Sequence, residues 1–229
     1  MRLLAIETST EACSIAVWVD GDVRERHELA PRRHTQLALP WAEALLAEAG
    51  IARAQLDAIA VGRGPGAFTG VRLGIALAQG IALALDRPLL PVSTLAVLAM
   101  QGRAPRTVAA IDARMGEVYA GTFVQDGGGL VRAEGHESVS APAQAALPDA
   151  PFAAVGTGFA AEHGALAARA GPRAITLDAT ALPHAADLAR LADALFRAGG
   201  AVAPEHAEPA YLRDKVALTL EEQRARASI

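Results

Sequence analysis

The sequence predicts an α/β protein composed of two copies of one structural unit. In each half, three strand-like segments come first, and helix-like and strand-like segments then alternate. A second observation is a glycine-rich loop, at residues 62–70, that joins a buried-type strand to a long apolar helix. The 229 residues, 52% of them hydrophobic, suffice for a large core. We therefore predict halves at residues 1–104 and 105–229, each with the order β-β-β-α-β-α-β-α.

The first half begins with a strand and a hairpin. Asp20-Gly21-Asp22 is a turn sequence between two alternating segments, and it predicts the hairpin. The helix that follows is bent near its start by Pro40 and ends at Gly50, since glycine commonly terminates helices. The strands are predicted at residues 3–8, 12–19, 23–29, 56–61 and 89–92, and the helices at 35–49, 69–85 and from Ser93 or Thr94 onward.

The second half repeats this order with weaker patterns. Three successive glycines after Asp126 predict the turn between its second and third strands. Its strands are predicted at residues 107–112, 117–125, 130–134, 152–155 and 174–177, and its helices at 141–146, 159–170 and 184–197. A unit duplicated in this way is the plan of the actin, Hsp70 and sugar-kinase fold. In that fold two ribonuclease-H-like halves face each other across a cleft.

Composition and charge exclude several classes of protein. The net charge is −4 and 20 of the 21 basic residues are arginine, so the chain lacks the basic footprint of a stand-alone nucleic-acid binder. A single cysteine, Cys13, excludes a disulfide framework and suits a reducing compartment. Glu7 comes too early for a signal peptide, and we find no segment suited to span a membrane. We expect a cytoplasmic protein.

The glycine loop is the strongest local signal in the chain. Its defining residues are Gly62, Gly64, Pro65, Gly66, Thr69 and Gly70. Glycine loops that precede a helix often bind phosphate through free N–H groups. This loop lacks the Gly-Lys-Ser/Thr ending of a Walker loop, and Asp86 is misplaced for reading a ribose. The sequence therefore disfavours a nucleotide site here.

The helix after the loop predicts a surface for another protein. A helix that is apolar all round is covered all round. The largest side chains suggest that Leu73, Leu77, Ile81 and Leu85 face the sheet, leaving an opposite face that is also apolar. The first helix has a similar excess of apolar residues. We predict a joint partner-binding patch, and its residues are Leu37, Trp41, Leu45, Arg72, Ile75, Gln79 and Leu83.

Two acidic residues are candidates for chemistry in the cleft. Glu7 ends the first strand and Asp112 ends the corresponding strand of the second half. Facing carboxylates could hold Mg²⁺ through water. The alternative is that each caps a loop by accepting N–H bonds near Ser9 or Arg114. We favour the alternative because the glycine turns that would bind phosphate just after each acid are missing.

Several motifs along the whole chain resemble the bacterial TsaB (YeaZ) family. They are LLAIETSTEACSIAV, HTQLALP, GRGPGAFTGVRLGIALAQGIA, PVSTLAVLA, IDARMGEVYAG and AEPAYLRDKVA. The resemblance implies an actin-like fold and a scaffold or activating subunit in the complex that transfers threonylcarbamoyl to N6 of the adenosine 3′ of the tRNA anticodon. It implies a TsaD-like paralogue as heterodimer partner, a TsaE-like ATPase, tRNA contact only through the complex, and a homodimer in isolation.

The residues themselves also argue against catalysis. TsaD-type proteins hold a metal with an H-x-x-x-H pair, and Thr94 and Leu98 stand at that place here. Neither side chain replaces imidazole as a ligand, and the six histidines form no H-x-x-x-H or H-E-x-x-H pair. We expect no cofactor, no metal and no enzyme activity. The alternative is a free-standing actin-like kinase or hydrolase, or a glycoprotease-like peptidase.

Two basic segments are the remaining candidates for contact with RNA. They are the turn Arg114-Met115-Gly116 and the tail Tyr211-Leu212-Arg213-Asp214-Lys215. Isolated basic residues in an acidic chain are more often solvated or paired with neighbouring carboxylates. We therefore expect these segments to matter for RNA only within a larger complex.

Overall fold

A computed structural model describes residues 1–213 of the chain. The strands of this part are β1 (Arg2–Glu7), β2 (Ala12–Val19), β3 (Asp22–Leu29), β4 (Ala58–Gly62), β5 (Leu89–Val92), β6 (Arg106–Arg114), β7 (Glu117–Gln125), β8 (Val131–Ala133), β9 (Ser138–Ser140), β10 (Phe152–Val155) and β11 (Ala174–Asp178). The α-helices are α1 (His34–Glu48), α2 (Phe68–Leu85), α3 (Thr94–Ala99), α4 (Ala161–Ala170) and α5 (Ala185–Arg197).

The strands form two mixed sheets with the same internal order. The first sheet runs β3-β2-β1-β4-β5, and the second runs β8-β7-β6-β10-β11. β1 and β2 are antiparallel, as are β6 and β7, whereas β1 and β4 are parallel, as are β6 and β10. The short strand β9 also pairs with β7. This confirms the predicted duplication and its ribonuclease-H-like halves.

Helices cover both faces of the first sheet. Because side chains alternate along a strand, Leu4 and Ile6 of β1 point to one face and Leu3 and Ala5 to the other. The first pair packs with α1 and α2, and the second pair packs with α5. The chain thus forms layers of helix, sheet and helix around β1 and β4, which are the most buried strands of this half.

The last helix of each half packs on the sheet of the other half. Leu95 and Leu98 of α3 lie in a core with Ile111 and Phe123 of the second sheet. In return, α5 contacts β1 and β2, and α3 and α5 also contact each other. The two halves therefore share hydrophobic cores. We propose that the halves divide between residues 104 and 105, with α3 and α5 as exchanged elements.

The helix predicted at residues 141–146 is wrong. The structure has turns there, preceded by β9. Pro142 and Pro148 bracket a segment too short for a stable helix. Its backbone instead binds a side chain, because the guanidinium of Arg169 donates to the carbonyl groups of Pro142 and Ala145. Because these carbonyl groups accept hydrogen bonds from Arg169, they do not depend on helical N–H groups as donors.

The predicted orientation of α2 is also wrong. Its buried residues are Gly70, Val71, Gly74, Ile75, Ala78 and Ala82. The small residues let the helix lie close to β4, so the sheet side consists of these residues with Val71 and Ile75, and not of the four leucine and isoleucine residues predicted there. The larger Leu77, Ile81 and Leu85 are only partly buried, along the flanks of the same core. Residue size predicted the sheet side, but close packing places the small residues there.

The sequence of α2 is predominantly apolar along its whole length. Within residues 1–213, this helix alone has the length and apolar composition to cross a membrane, with a mean hydropathy of 1.6. Core helices of soluble proteins share these properties. Its small-residue side packs on the first sheet, as expected of a core helix.

The corrected orientation of α2 is tested by two truncations on opposite sides of the helix. We expect Ile75→Ala to destabilise the protein by about 2–5 kcal/mol, because it leaves a cavity in the core. Leu83→Ala should change the free energy of unfolding by less than about 0.5 kcal/mol, because Leu83 is 65% exposed. Urea unfolding measures both values. Equal effects, or a larger effect at Leu83, would restore the original orientation.

Candidate functional site

The glycine loop wraps around the turn between β1 and β2. A Cβ atom built on Gly66 would lie 2.2 Å from the Ser9 carbonyl oxygen, and one built on Gly70 would lie 2.1 Å from the Thr8 carbonyl oxygen. The Ala67 N–H donates to Ser9 O at 2.7 Å, and Thr8 Oγ1 donates to Gly70 O at 2.8 Å. The glycines of the loop therefore permit contact with the chain's own backbone.

Glu7 lies beneath this loop, and its side chain is fully enclosed. The residue is 1% exposed, and its Oε1 accepts the Ser9 N–H at 2.7 Å. Gly62 has no room for a side chain, since a Cβ there would overlap Glu7 Oε2. Burial raises the pKa of Glu7, although hydrogen bonds from Ser9 and Thr94 oppose the rise. Glu7 thus stabilises the loop through buried contacts with Ser9, Thr94 and Gly62.

Asp112 makes the corresponding contacts in the second half. Its Oδ1 accepts the Arg114 N–H at 2.7 Å, and its Oδ2 pairs with the Arg114 guanidinium at 2.9 Å. The same guanidinium reaches Glu11 of the first half at 2.8 Å. These are the bonds of the loop-capping interpretation for both acids. A role of either acid in holding Mg²⁺ is the less favoured alternative, and no contact among the described residues tests it.

The predicted RNA-contacting residues are paired with carboxylates where the structure describes them. Arg114 binds Asp112 and Glu11, and Arg213 binds Glu117 at 2.6 Å. Asp214 and Lys215 lie outside the described residues. The paired arginines contribute little uncompensated positive charge to this surface.

A cavity of about 360 Å³ lies between the loop and the second half. It is lined by residues 9–11, 66–68, 112–114 and 209–213, among others. At its rim the Arg72 guanidinium stacks 3.3 Å above the centroid of the Phe68 ring and donates to the Tyr211 hydroxyl at 2.5 Å. Arg72, predicted to bind a partner, is therefore engaged by its own chain.

Two buried residues, Thr94 and Leu98, stand at the positions of the histidine pair of TsaD-type proteins. Thr94 and Leu98 have no exposed surface. Thr94 Oγ1 accepts the Gly64 N–H at 3.1 Å and lies 3.0 Å from Ser9 Oγ. Leu98 packs in the core of the second sheet. Neither residue presents a metal ligand to the cavity.

The predicted partner-binding residues do not form one surface. Ile75 and Leu45 are 5% and 1% exposed and belong to the core, which removes them from the predicted patch. Gln79 donates to the Pro204 carbonyl at 2.9 Å and so fixes the chain after α5. Leu37 and Trp41 are half-buried and pack against the core to which both α1 and α2 contribute. Their role in binding a partner stays a prediction.

The outer face of α2 is nevertheless exposed and apolar. Leu83 and Phe68 are 65% and 64% exposed, and Ala76, Gly80 and Ala84 on the same helix are also exposed. On α1, Leu39 is 44% exposed. Among the exposed residues of α2 none is charged. This face, rather than the predicted one, is the candidate docking surface.

One cluster of polar side chains was missed in the sequence. Glu25 and His27 of β3 lie beside His184, which is more than 150 residues away along the chain. Burial opposes ionisation of Glu25, but hydrogen bonds from His184, Ser14 and the Ala186 N–H lower its pKa to about 2. The signal in the sequence is only the alternation Glu-x-His in a strand. Sequence spacing gave no reason to connect it with His184.

The chain is a protein of the actin-like class. The order of strands is the same in its two sheets, and the last described helix of each half packs on the sheet of the other. A family model described as "TsaD: tRNA N6-adenosine threonylcarbamoyltransferase" matches residues 27–220. The Escherichia coli (strain K12) protein named tRNA threonylcarbamoyladenosine biosynthesis protein TsaB is 43% identical over 95% of this chain and 96% of its own length. The Haemophilus influenzae protein of the same name is 38% identical over 94% and 95%.

Solved structures agree with the sequence comparisons. A Pseudomonas aeruginosa structure described as YeaZ has a TM-score of 0.83 and 45% identity, and covers 92% of this chain and 99% of that one. A second Pseudomonas aeruginosa structure, described as similar to peptidase YEAZ, has a TM-score of 0.86 at 46% identity, over 93% and 99%. The chain belongs to the TsaB (YeaZ) family. The matches do not favour the kinase, hydrolase or peptidase alternative.

The close contact between the glycine loop and the β1–β2 turn is tested by a matched pair of alanine variants. Gly70→Ala should destabilise the protein by about 3 kcal/mol or more, because its Cβ overlaps the Thr8 carbonyl. Gly80→Ala, in the same helix with no neighbour within 4 Å, should stabilise it by about 0.5–1 kcal/mol. Thermal or urea unfolding measures both. A Gly70 variant as stable as the wild type would show that the loop does not lie this close.

The buried carboxylate predicts a pH dependence of stability. The folded-state pKa of Glu7 is raised above its ordinary value of 4.5, so its contribution is complete below 4.5 and is lost as pH rises through the folded pKa. Glu7→Gln removes this titration. We therefore expect the unfolding free energy of the variant to rise relative to wild type over that interval. A difference that falls with pH would mean that the pKa of Glu7 is lowered.

Proposed function

We propose that this chain is a non-catalytic subunit of an assembly that forms threonylcarbamoyladenosine in tRNA, and that its α2 helix docks a TsaD-like paralogue. The names of its TsaB relatives support the pathway. A tRNA N6-adenosine threonylcarbamoyltransferase from Chlorobaculum tepidum is 38% identical over 108 residues, which are 41% of this chain and 31% of that protein. Catalysis then resides in the paralogue.

The exposed apolar face of α2 is the observation that carries this proposal. Its exposed residues include Phe68 and Leu83, and the positions between them are alanine, glycine and threonine. Large exposed apolar patches mark interaction sites, because water is a poor environment for them. A structurally related partner offers a helix of similar shape and polarity, which makes a four-helix contact with α1 and α2. Leu37 and Trp41, which are half-buried on α1, then lie at the edge of the contact.

The filled interior supports a non-catalytic role. The side chain of Glu7 is enclosed by the glycine loop, and Thr94 and Leu98 occupy the places of metal ligands. A phosphate at the loop would need the N–H groups that Ser9, Thr94 and Glu7 already engage or cover. The loop in this chain therefore has a structural role, which is to connect the β1–β2 turn with the start of α3.

The remaining members of the assembly follow from this arrangement. When the paralogue is absent, two copies of the chain pair through the same face, and such a contact is isologous. A TsaE-like ATPase and tRNA join through the paralogue, because the described arginines near the cleft are paired with acids. The assembly works in the cytoplasm, where tRNA is found.

A charge placed on the outer face of α2 tests the docking site. We expect Leu83→Glu to leave the monomer folded, because Leu83 is exposed. It should weaken pairing with the co-expressed TsaD-like paralogue by about 100-fold, since an unpaired charge in an interface costs about 3 kcal/mol or more. Co-purification and light scattering after size exclusion measure the pairing, and circular dichroism measures the fold.

A variant at another exposed apolar residue is the control. Ile175 on β11 is 56% exposed and lies on the second sheet, away from α1 and α2. Ile175→Glu should leave pairing at the wild-type level. If Leu83→Glu pairs normally, or if Ile175→Glu disrupts pairing equally, the docking surface lies elsewhere.

A further inference from the structure

A compact group of side chains joins β3 to the start of α5. Glu25 and His27 are two residues apart on β3, so both face the side of the first sheet that α5 covers. His184 directly precedes α5, and its Nδ1 lies 3.0 Å from Glu25 Oε2. The His27 and His184 rings stack with centroids 3.9 Å apart. One ligand atom from each of the three residues lies within 4.8 Å of the others.

We propose that Glu25, His27 and His184 form a binding site for one divalent transition-metal ion such as Zn²⁺. Two imidazoles and one carboxylate are ligands that this class of ion prefers. Three protein ligands leave a fourth position for water or another group. Ligand atoms around zinc lie about 3.3 Å apart, given bonds of about 2.0–2.1 Å. Small side-chain movements close the cluster to that spacing.

The carboxylate is already oriented for this role. Glu25 Oε1 accepts hydrogen bonds from Ser14 Oγ at 2.7 Å and from the Ala186 N–H at 3.0 Å. Ser14 is fully buried, and its own Oγ accepts the Ala185 N–H at 2.8 Å. These bonds hold one carboxylate oxygen and leave the other directed at His184. Such outer contacts fix the ligands of metal sites.

His27 has a nitrogen that is unused in the described part of the chain. Its Nδ1 is buried and has no hydrogen-bond partner among residues 1–213. A buried polar atom without a partner is unfavourable. The ring is stacked on His184, and rotation about χ2 can turn one of its nitrogens towards a shared ion. That rotation is soft for histidine. Metal binding therefore replaces the stack with coordination by both rings.

The local charge and access favour a cation. Asp187 adds a second carboxylate near His184, although it is paired with Arg190 at 2.6 Å. The positive N-terminus of α5 opposes a cation, but only by a modest amount. The His184 and Glu25 side chains are 36% and 20% exposed, which gives an ion a route to the site. The ion displaces the hydrogen on His184 Nδ1.

The site is independent of the proposed docking surface. It lies on the α5 face of the first sheet, whereas α1 and α2 cover the opposite face. A bound ion would connect β3 of the first half to α5 of the second half. It would stabilise the folded chain, because the unfolded chain does not hold these residues together. Failure of either proposal leaves the other intact.

Titration of the untagged full-length chain with Zn²⁺, after removal of metal by chelation, tests the proposal. We expect calorimetry to show one ion per chain, and Tm to rise when zinc is added. Co²⁺ in place of zinc should give the visible absorption band typical of four-coordinate sites. His27→Ala, His184→Ala and Glu25→Gln should each weaken zinc binding by about tenfold or more. His136→Ala is the control, because His136 is exposed on the second half and away from the cluster.

Each outcome decides the question. If wild type binds no zinc, or if the three variants bind it as tightly as the His136 variant, the proposal is wrong. His184→Ala alone could perturb α5, so the fold of every variant is checked by circular dichroism. Glu25→Gln retains an oxygen for Ser14 and Ala186 and therefore reports on the ligand independently. Loss of binding in that folded variant supports the site.

Discussion

The close approach of the glycine loop to the β1–β2 turn is the constraint on which the rest of the structure depends. Gly66 and Gly70 can lie against the Ser9 and Thr8 carbonyls only because they lack side chains. That contact fixes the start of α2. The Gly64 carbonyl accepts the Thr94 N–H at 2.9 Å, so the same loop also fixes the start of α3. Since α3 packs on the second sheet, the loop helps to set how the two halves meet.

The second junction between the halves has a different chemistry. At α3 the halves meet through apolar packing, whereas at the start of α5 they also meet through the polar side chains of Glu25, Ser14 and His184. Ser14 and Glu25 accept the first free N–H groups of α5, which a helix N-terminus requires. Residues of the first sheet therefore cap a helix of the second half. This exchange explains why the shared cores do not follow the duplicated sequence units.

The sequence was sufficient for the sheets and insufficient for helix orientation and for contacts between distant segments. Apolar runs and alternating segments predicted every strand of the two sheets except β9, because these patterns are local properties of the sequence. The orientation of α2 depends on how closely the helix approaches Thr8. The sequence of the helix alone carries no information about that distance. The helix predicted at residues 141–146 failed because Arg169 binds its carbonyls. His184 was not connected with Glu25 for the same reason, since only the fold brings them together.

The outer face of α2 contains a glycine that no contact among residues 1–213 explains. Gly80 is exposed in the middle of the helix, and a Cβ built on it would meet nothing within 4 Å. Glycine there costs about 1 kcal/mol relative to alanine, and no contact in the described chain requires it. Ala76, Gly80 and Ala84 repeat every four residues and form a small-residue groove on one side of Leu83. Such a groove lets another helix approach closely while Leu83 packs against its flank. No contact among residues 1–213 therefore accounts for Gly80, whereas the proposed docking of a partner helix against this groove would require a residue without a side chain.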